Sequence, residues 1–405
     1  MFSKYNAKKL SNKELSDITK IDIKYFSKHR NIIEKIFLLP KVDLHLHLGG
    51  SLRVETILDL AKEQNFELPA YSKNDLAKIV SKDKYENLED YLTVFGKITE
   101  PLLQEKNALE RAAYELAEDL ANENVIYFEL RFAPMNYTHK KLKPYEVVRA
   151  VNAGLERAEK DFGIKSNMIL CGVRIFSANM SPYHKKIATF FSCFNNKQLA
   201  QEVARNTAVL AVNANKVDGI KRAVGFDIAG PEKGYPAKNF VDAYKLIQKA
   251  GLYNTCHAGE AFGWQSIKQA IVDCGVDRIG HGTNLLDNMD LLEYVKGMKR
   301  IPVEVCITSN IQTCENIKEY KSHPIGEFFK KHRLRIVICQ DNRLVSNTSK
   351  TKENFIAHLY HNLTLQDLCS VELNGLKSGF MKSSERLSLI AQYVKYIETK
   401  FGVRL

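Results

Sequence analysis

Short apolar runs recur along the chain, separated by longer stretches in which apolar residues return every three or four positions. The runs cover residues 42–47, 126–132, 169–175, 223–228, 252–257, 277–281, 301–306 and 335–339. Most are rich in Val, Ile and Leu, as expected of strands buried on both faces of a parallel sheet. The stretches 107–122, 144–162, 239–250 and 288–298 have the helical period. Strands alternating with helices predict an α/β fold, a (β/α)8 TIM barrel, with an open doubly wound sheet as the competing arrangement. Polar residues favour the barrel. His45, His47, Glu129, Arg131, Asp227, His257, His281 and Asp341 are read at or just past the ends of the runs. A barrel gathers those ends on one face, whereas an open sheet spreads them along a crevice.

Residues 48–125 are too many for one crossover helix. They predict extra helices near 54–66, 73–81, 87–104 and 107–122, an insertion over 54–122 that covers the barrel mouth. Residues 1–38 read as a helical lead-in and 352–405 as C-terminal helices, all within a single domain, 1–405.

Composition narrows the class. Hydrophobic residues make up 45% and charged residues 26% of 405, an ordinary globular balance. The net charge is +12, and residues 1–41 hold ten Lys/Arg against four acids. No basic patch is interleaved with aromatics, so the excess reads as a solvated lysine-rich surface and not a nucleic-acid interface. The eight cysteines are scattered without a CxxC pair, which points to a reducing compartment. No run has the length of a signal peptide or membrane span, so the expectation is a soluble cytoplasmic protein, with no membrane association and no obligate protein partner.

Four segments carry candidate chemistry. In Val42-Asp43-Leu44-His45-Leu46-His47 the two imidazoles are two residues apart on a strand and face the same way, so they can grip one metal ion. His257-Ala258-Gly259-Glu260 adds a third imidazole and a carboxylate suited to carrying a proton. Ile279-Gly280-His281-Gly282 offers an imidazole that can ligate metal or act on its water. Asp341, ending the eighth run, offers a hard oxygen ligand.

In this order the chain resembles the adenosine deaminase family of TIM-barrel metal hydrolases. The resemblance spans roughly residues 38–390 and includes LPKVDLHLHL (39–48), FELRFAP (128–134), HAGE (257–260), RIGHG (278–282), EVCITSN (304–310) and HP (323–324). It implies one zinc ion held by His45, His47, His257 and Asp341. It implies Glu260 as the group that protonates purine N1 and His281 as the one that orients the attacking water. Gly230 is similar to the glycine whose N–H meets purine N3, and Tyr91, Leu92 and Phe95 resemble the apolar helix that covers the nucleoside. The fourth run has no lysine of the kind that bridges two metals in related amidohydrolases, and the P-C-x-x-C element of cytidine-type deaminases is absent.

Two positions depart from the family's commonest pattern. Gly49 stands where an Asp contacts the ribose 5′-hydroxyl, and Asn342 stands where a second Asp contacts N7. An amide can donate to N7 without borrowing a proton. Arg343 follows, and a solvated role is expected for it. The activity implied is deamination of adenosine and 2′-deoxyadenosine to inosine or 2′-deoxyinosine and ammonia. The alternatives are another 6-aminopurine (adenine, a 5′-modified adenosine or an N6-substituted AMP) or an inactive zinc-barrel binding protein.

Overall fold

The computed structural model describes residues 10–405, so the first nine residues of the expected lead-in lie outside the described residues. Eight parallel strands run in chain order: β1 Lys41–His47, β2 Val125–Phe132, β3 Lys165–Val173, β4 Ala223–Ala229, β5 Tyr253–Ala258, β6 Arg278–His281, β7 Val303–Val305 and β8 Ile336–Ile338. The ring closes where Leu46 bridges Asp341, with the His47 N–H donating to the Asp341 carbonyl and the Asp341 N–H to the His45 carbonyl, both at 2.9 Å. This is the (β/α)8 barrel that the alternation of runs predicts, not the open sheet. Strand β3 starts four residues before its apolar run, because Lys165, Ser166 and Asn167 pair with Tyr127, Phe128 and Glu129 of β2.

The insertion after β1 holds helices Val54–Glu63, Lys73–Val80, Leu88–Val94 and Lys106–Asn122. The helix expected over 87–104 runs over residues 88–102 and contains a π turn. Its α-helical part gives way to a wider π turn at Phe95–Thr99, where the Glu100 N–H reaches back to the Phe95 carbonyl. Pro101 has no N–H to continue the ladder, and its ring crowds the preceding turn.

At the opposite end of the barrel, the link between helices Leu365–Ser378 and Ser383–Phe401 forms a plug. The Arg278 guanidinium carbon lies 3.4 Å from the Phe380 ring centroid, and Arg278 Nη1 donates to the Ser378 carbonyl at 2.9 Å. The Phe380 N–H donates to Glu129. Glu129 is thus not at the mouth, where the sequence placed it. It lies mid-strand among Tyr127, Arg278 and Phe380.

Among the described residues no helix is long and apolar enough to cross a membrane.

Candidate metal centre and purine cavity

His45, His47, His257 and Asp341 meet at the C-terminal ends of β1, β5 and β8, with one ligand atom from each lying within 4.8 Å of the others. His257 Nε2 is 3.1 Å from both His45 Nε2 and His47 Nε2, and Asp341 Oδ1 is 3.6 and 3.4 Å from those two nitrogens. Behind the ring, His45 Nδ1 meets Glu304 Oε2 at 2.7 Å and His257 Nδ1 lies 2.9 Å from Asp227 Oδ2. An imidazole that gives its Nδ1 proton to a carboxylate presents a bare lone pair at Nε2. The Nε2 atoms of His45 and His257 face each other across 3.1 Å, beside a carboxylate oxygen. Either a proton or a metal ion between them relieves their repulsion, and three imidazole nitrogens and a carboxylate oxygen around one point fit a metal ion.

The groups behind the ligands are themselves compensated. Arg131 donates to Asp227 Oδ2 at 3.0 Å and to Glu304 Oε2 at 2.9 Å, and Arg278 Nε donates to Glu304 Oε1 at 2.6 Å. Burial alone would raise the Glu304 carboxyl, but Arg131 and Arg278 outweigh it and hold it at about 2. Burial opposes ionisation of Asp227 too, yet His257 and Arg131 hold it well below the carboxylate range. Burial pushes the His45 and His47 imidazoles well down, keeping both neutral as metal ligation requires. For His257 the nearby Asp227 overcomes burial and raises the ring.

Glu260 and His281 stand beside this centre. Glu260 Oε2 is 3.5 Å from His281 Nε2, and these groups lie within 4.8 Å of an Asp341 oxygen. Burial raises the Glu260 carboxyl to about 7, although Thr313 donates to its Oε1 at 2.8 Å. Burial lowers His281 to about 4. His281 and Asp341 are both non-glycine residues in left-handed backbone, at φ 64° and 62°. Such strain costs of order 1 kcal/mol and persists where the surroundings over-determine it.

The loop that carries Glu260 is wrapped around another acid. The N–H groups of Gly259, Glu260, Ala261 and Phe262 donate to the Glu232 carboxylate at 2.6, 2.9, 2.7 and 3.0 Å. Glu232 follows β4, five residues after Asp227, and nothing in its own segment marked it. Glu304 and Ser309 were likewise not singled out, and Ser309 donates to Asp341 Oδ2 at 2.6 Å. Both lie inside EVCITSN, whose resemblance was the available signal.

A cavity of about 790 Å³ opens above the centre. His47, His257, Glu260, Asp341 and all six of the expected substrate-side residues, Gly230, Asn342, Gly49, Tyr91, Leu92 and Phe95, line it. Tyr91 is anchored by Ser346 Oγ at 2.8 Å. Gly230 has φ 94°, a conformation that a side chain would strain. A Cβ on Gly50 would sit 1.8 Å from Asn342 Oδ1, so a glycine there is what admits the Asn342 amide. A Cβ on Gly49 would face Tyr137 Oη at 3.2 Å and Thr99 Oγ1 at 3.6 Å. Arg343 departs from expectation. It is buried, bonded to Glu123 and to Gln340 Oε1 at 3.0 Å, and it braces the loop after β8 instead of meeting solvent.

The sequence matches the family profile described as adenosine deaminase over residues 40–201 and 190–396. The chain belongs to the adenosine deaminase family. The adenosine deaminase of Clostridium botulinum (strain Langeland) is 37% identical over 363 residues, 89% of this chain and 98% of that protein. A probable adenosine deaminase of Dictyostelium discoideum is 35% identical over 88% of this chain, which spans 42% of that longer relative. Among solved structures, the N6-mAMP deaminase of Arabidopsis superposes with TM-score 0.72 at 25% identity, covering 89% of this chain and 99% of that one. Family membership makes the protein a deaminase of metal-dependent type.

Proposed function

We propose that this adenosine deaminase family member hydrolyses adenosine and 2′-deoxyadenosine to inosine or 2′-deoxyinosine and ammonia, with one zinc ion held by His45, His47, His257 and Asp341. The observation that carries this reading is the meeting of three imidazoles and a carboxylate beside a buried acid raised to about 7, at the floor of one cavity. Zinc suits such a nitrogen-rich set with a position left open, and when bound it lowers the pKa of water toward neutrality.

The chain's own groups do the rest. Glu260, protonated in part at neutral pH, donates its proton to purine N1 and makes C6 electrophilic. His281 hydrogen-bonds the attacking water oxygen. The oxygen–C6 bond forms as one water proton passes to the Glu260 carboxylate; the remaining hydroxyl proton ends on N6, the C6–N6 bond breaks, ammonia leaves, and a C6 carbonyl with a protonated N1 remains. The Gly230 N–H meets N3. Asn342 Nδ2 donates one proton to Asp341 Oδ1 at 2.7 Å, and its second amide proton remains for N7. Tyr91, Leu92 and Phe95 cover the base and exclude water.

The sugar end favours a neutral ligand. The cavity's Arg131 is buried and paired with Asp227 and Glu304, and Lys140 stands only in an exposed pair with Glu105, so no buried, unpaired Arg or Lys among the described lining residues awaits a phosphate. Gly49 supplies no carboxylate for a 5′-hydroxyl, while the buried Thr99 Oγ1 has no hydrogen-bond partner among the described residues. That favours, as a second reading, tolerance of 5′-modified adenosines.

The test is ammonia release from a panel of adenosine, 2′-deoxyadenosine, 5′-methylthioadenosine, adenine, AMP and N6-methyl-AMP, with zinc content measured on the same sample. Adenosine and its 2′-deoxy form should be the best substrates, at one zinc per chain. Release from AMP or adenine alone would replace the substrate assigned here. No release from any 6-aminopurine by zinc-loaded protein would overturn the reading.

A further inference from the structure

His281 differs from His45 and His257 in what stands behind it: an amide, not a carboxylate. Asn310 Nδ2 is 3.0 Å from His281 Nδ1, and Asn310 Oδ1 is 3.1 Å from His323 Nε2. The backbone N–H of Ile325 donates to His323 Nδ1 at 3.1 Å. All three side chains are buried.

The last bond fixes the direction of the others. A backbone N–H can only donate, so His323 Nδ1 is an acceptor and the ring's proton sits on Nε2. That Nε2–H donates, so the Asn310 atom facing it is the amide oxygen. The amide nitrogen then faces His281 and donates to Nδ1. A neutral His281 therefore carries its proton on Nε2; that nitrogen lies 3.5 Å from Glu260 Oε2 and has no hydrogen-bond partner among the described residues. Reversing the amide would ask His323 to accept at both nitrogens, which a neutral imidazole cannot do.

We propose that Asn310 and His323 are positioning residues that set the tautomer of His281, so that it enters the reaction as an N–H donor and not as a proton acceptor. Ile325 starts the relay, His323 and Asn310 transmit it, and His281 Nε2–H is its output into the cavity. The consequence for turnover rests on the deaminase reading above, whereas the proton's position does not.

The experiment uses the zinc-loaded protein labelled with 15N-histidine, with the His281 ring signals assigned by their loss in His281→Gln. The resting wild-type spectrum should show His281 protonated at Nε2 and bare at Nδ1. A proton on Nδ1 would overturn the proposal whether or not any substrate is turned over. Asn310→Asp replaces the donor with a second acceptor and should draw a proton onto His281 Nδ1. With adenosine, kcat should fall about 10²–10³-fold, the scale of losing one oriented donor, at unchanged zinc content and with KM within about threefold. His323→Gln keeps a donor toward Asn310 and should hold kcat within about threefold, whereas His323→Leu should lose about tenfold or more. Full activity in Asn310→Asp, or equal loss in both His323 variants, would sink the relay.

Discussion

The floor of the cavity and the wall above it are built on opposite principles. On the floor, polar groups meet partners of complementary charge or hydrogen-bonding character: Glu304 binds His45, Arg131 and Arg278, and Asp227 binds Arg131 and lies against His257. The wall, helix Leu88–Val94 and the π turn after it, presents Leu92, Phe95 and the ring of Tyr91, with contacts that are apolar and non-directional. A directional network fails when one member is lost, because a buried charge is left unpaired. Apolar cover degrades by area. Changes in the floor should therefore be read in metal content and kcat, and changes in the wall in KM.

The sharpest break in that contrast is His257→Ala. It removes one of the three imidazoles and should lower zinc well below one per chain while abolishing turnover. Full metal by elemental analysis in that variant would show that the ligand set is misassigned.

Next comes Glu260→Gln, which should keep zinc and lower kcat by about 10²–10⁴-fold, the range for a lost proton carrier. A pH signature accompanies it in the metal-free protein. Glu260 is raised by burial from the ordinary 4.5 to about 7, so the folded chain binds a proton that the unfolded chain has released between those values. Its contribution to stability is therefore lost as pH rises through that window, and Gln removes the dependence. Melting curves should show Glu260→Gln gaining on the wild type between pH 5 and pH 8. An equal gap at both pH values would contradict the raised carboxyl.

A smaller effect is expected one layer further back. Glu304→Gln leaves shape intact but weakens the hold on His45 Nδ1 and unbalances Arg131 and Arg278. Zinc affinity, measured by competition with a chelator, should drop about 10–100-fold. The smallest change belongs to the wall. Leu92→Ala should raise KM for adenosine about tenfold, the worth of one buried Leu side chain, with kcat nearly unchanged. A kcat loss as large as that of Glu304→Gln would erase the distinction between the two regions.

The same division explains what could be read from the chain alone. The barrel was legible because two-sided burial leaves a continuous apolar run, and the ligands because H-x-H on a strand fixes two side chains on one face. Glu260 and His281 were legible through their neighbours in HAGE and RIGHG. Glu232 was not, and the contacts of Glu304, Asn310 and His323 were not although EVCITSN and HP contain those residues, since each acts through a partner 13 to 259 residues away and leaves no local period. Arg343 was misread for a related reason. An arginine in a turn reads as solvated unless the acid that buries it is known, and that acid is Glu123, 220 residues earlier. The π turn within the helix over 87–104 was not legible, because the apolar spacing continues toward Pro101 while the hydrogen-bond pattern widens ahead of it.

The plug at the far end of the barrel gives the late part of the chain a hold on the early part. From the Ser378 carbonyl the bonds run to Arg278, then Glu304, then the ring of His45, so four segments widely separated in sequence share one taut line. A nascent chain that has emerged through Asp341 owns all four proposed ligands, yet Arg278 still lacks the Ser378 carbonyl and the Phe380 ring that complete its setting. A chain truncated before Ser378 would carry all four proposed ligands on a floor without that brace, so the order of synthesis places the site's support after its ligands.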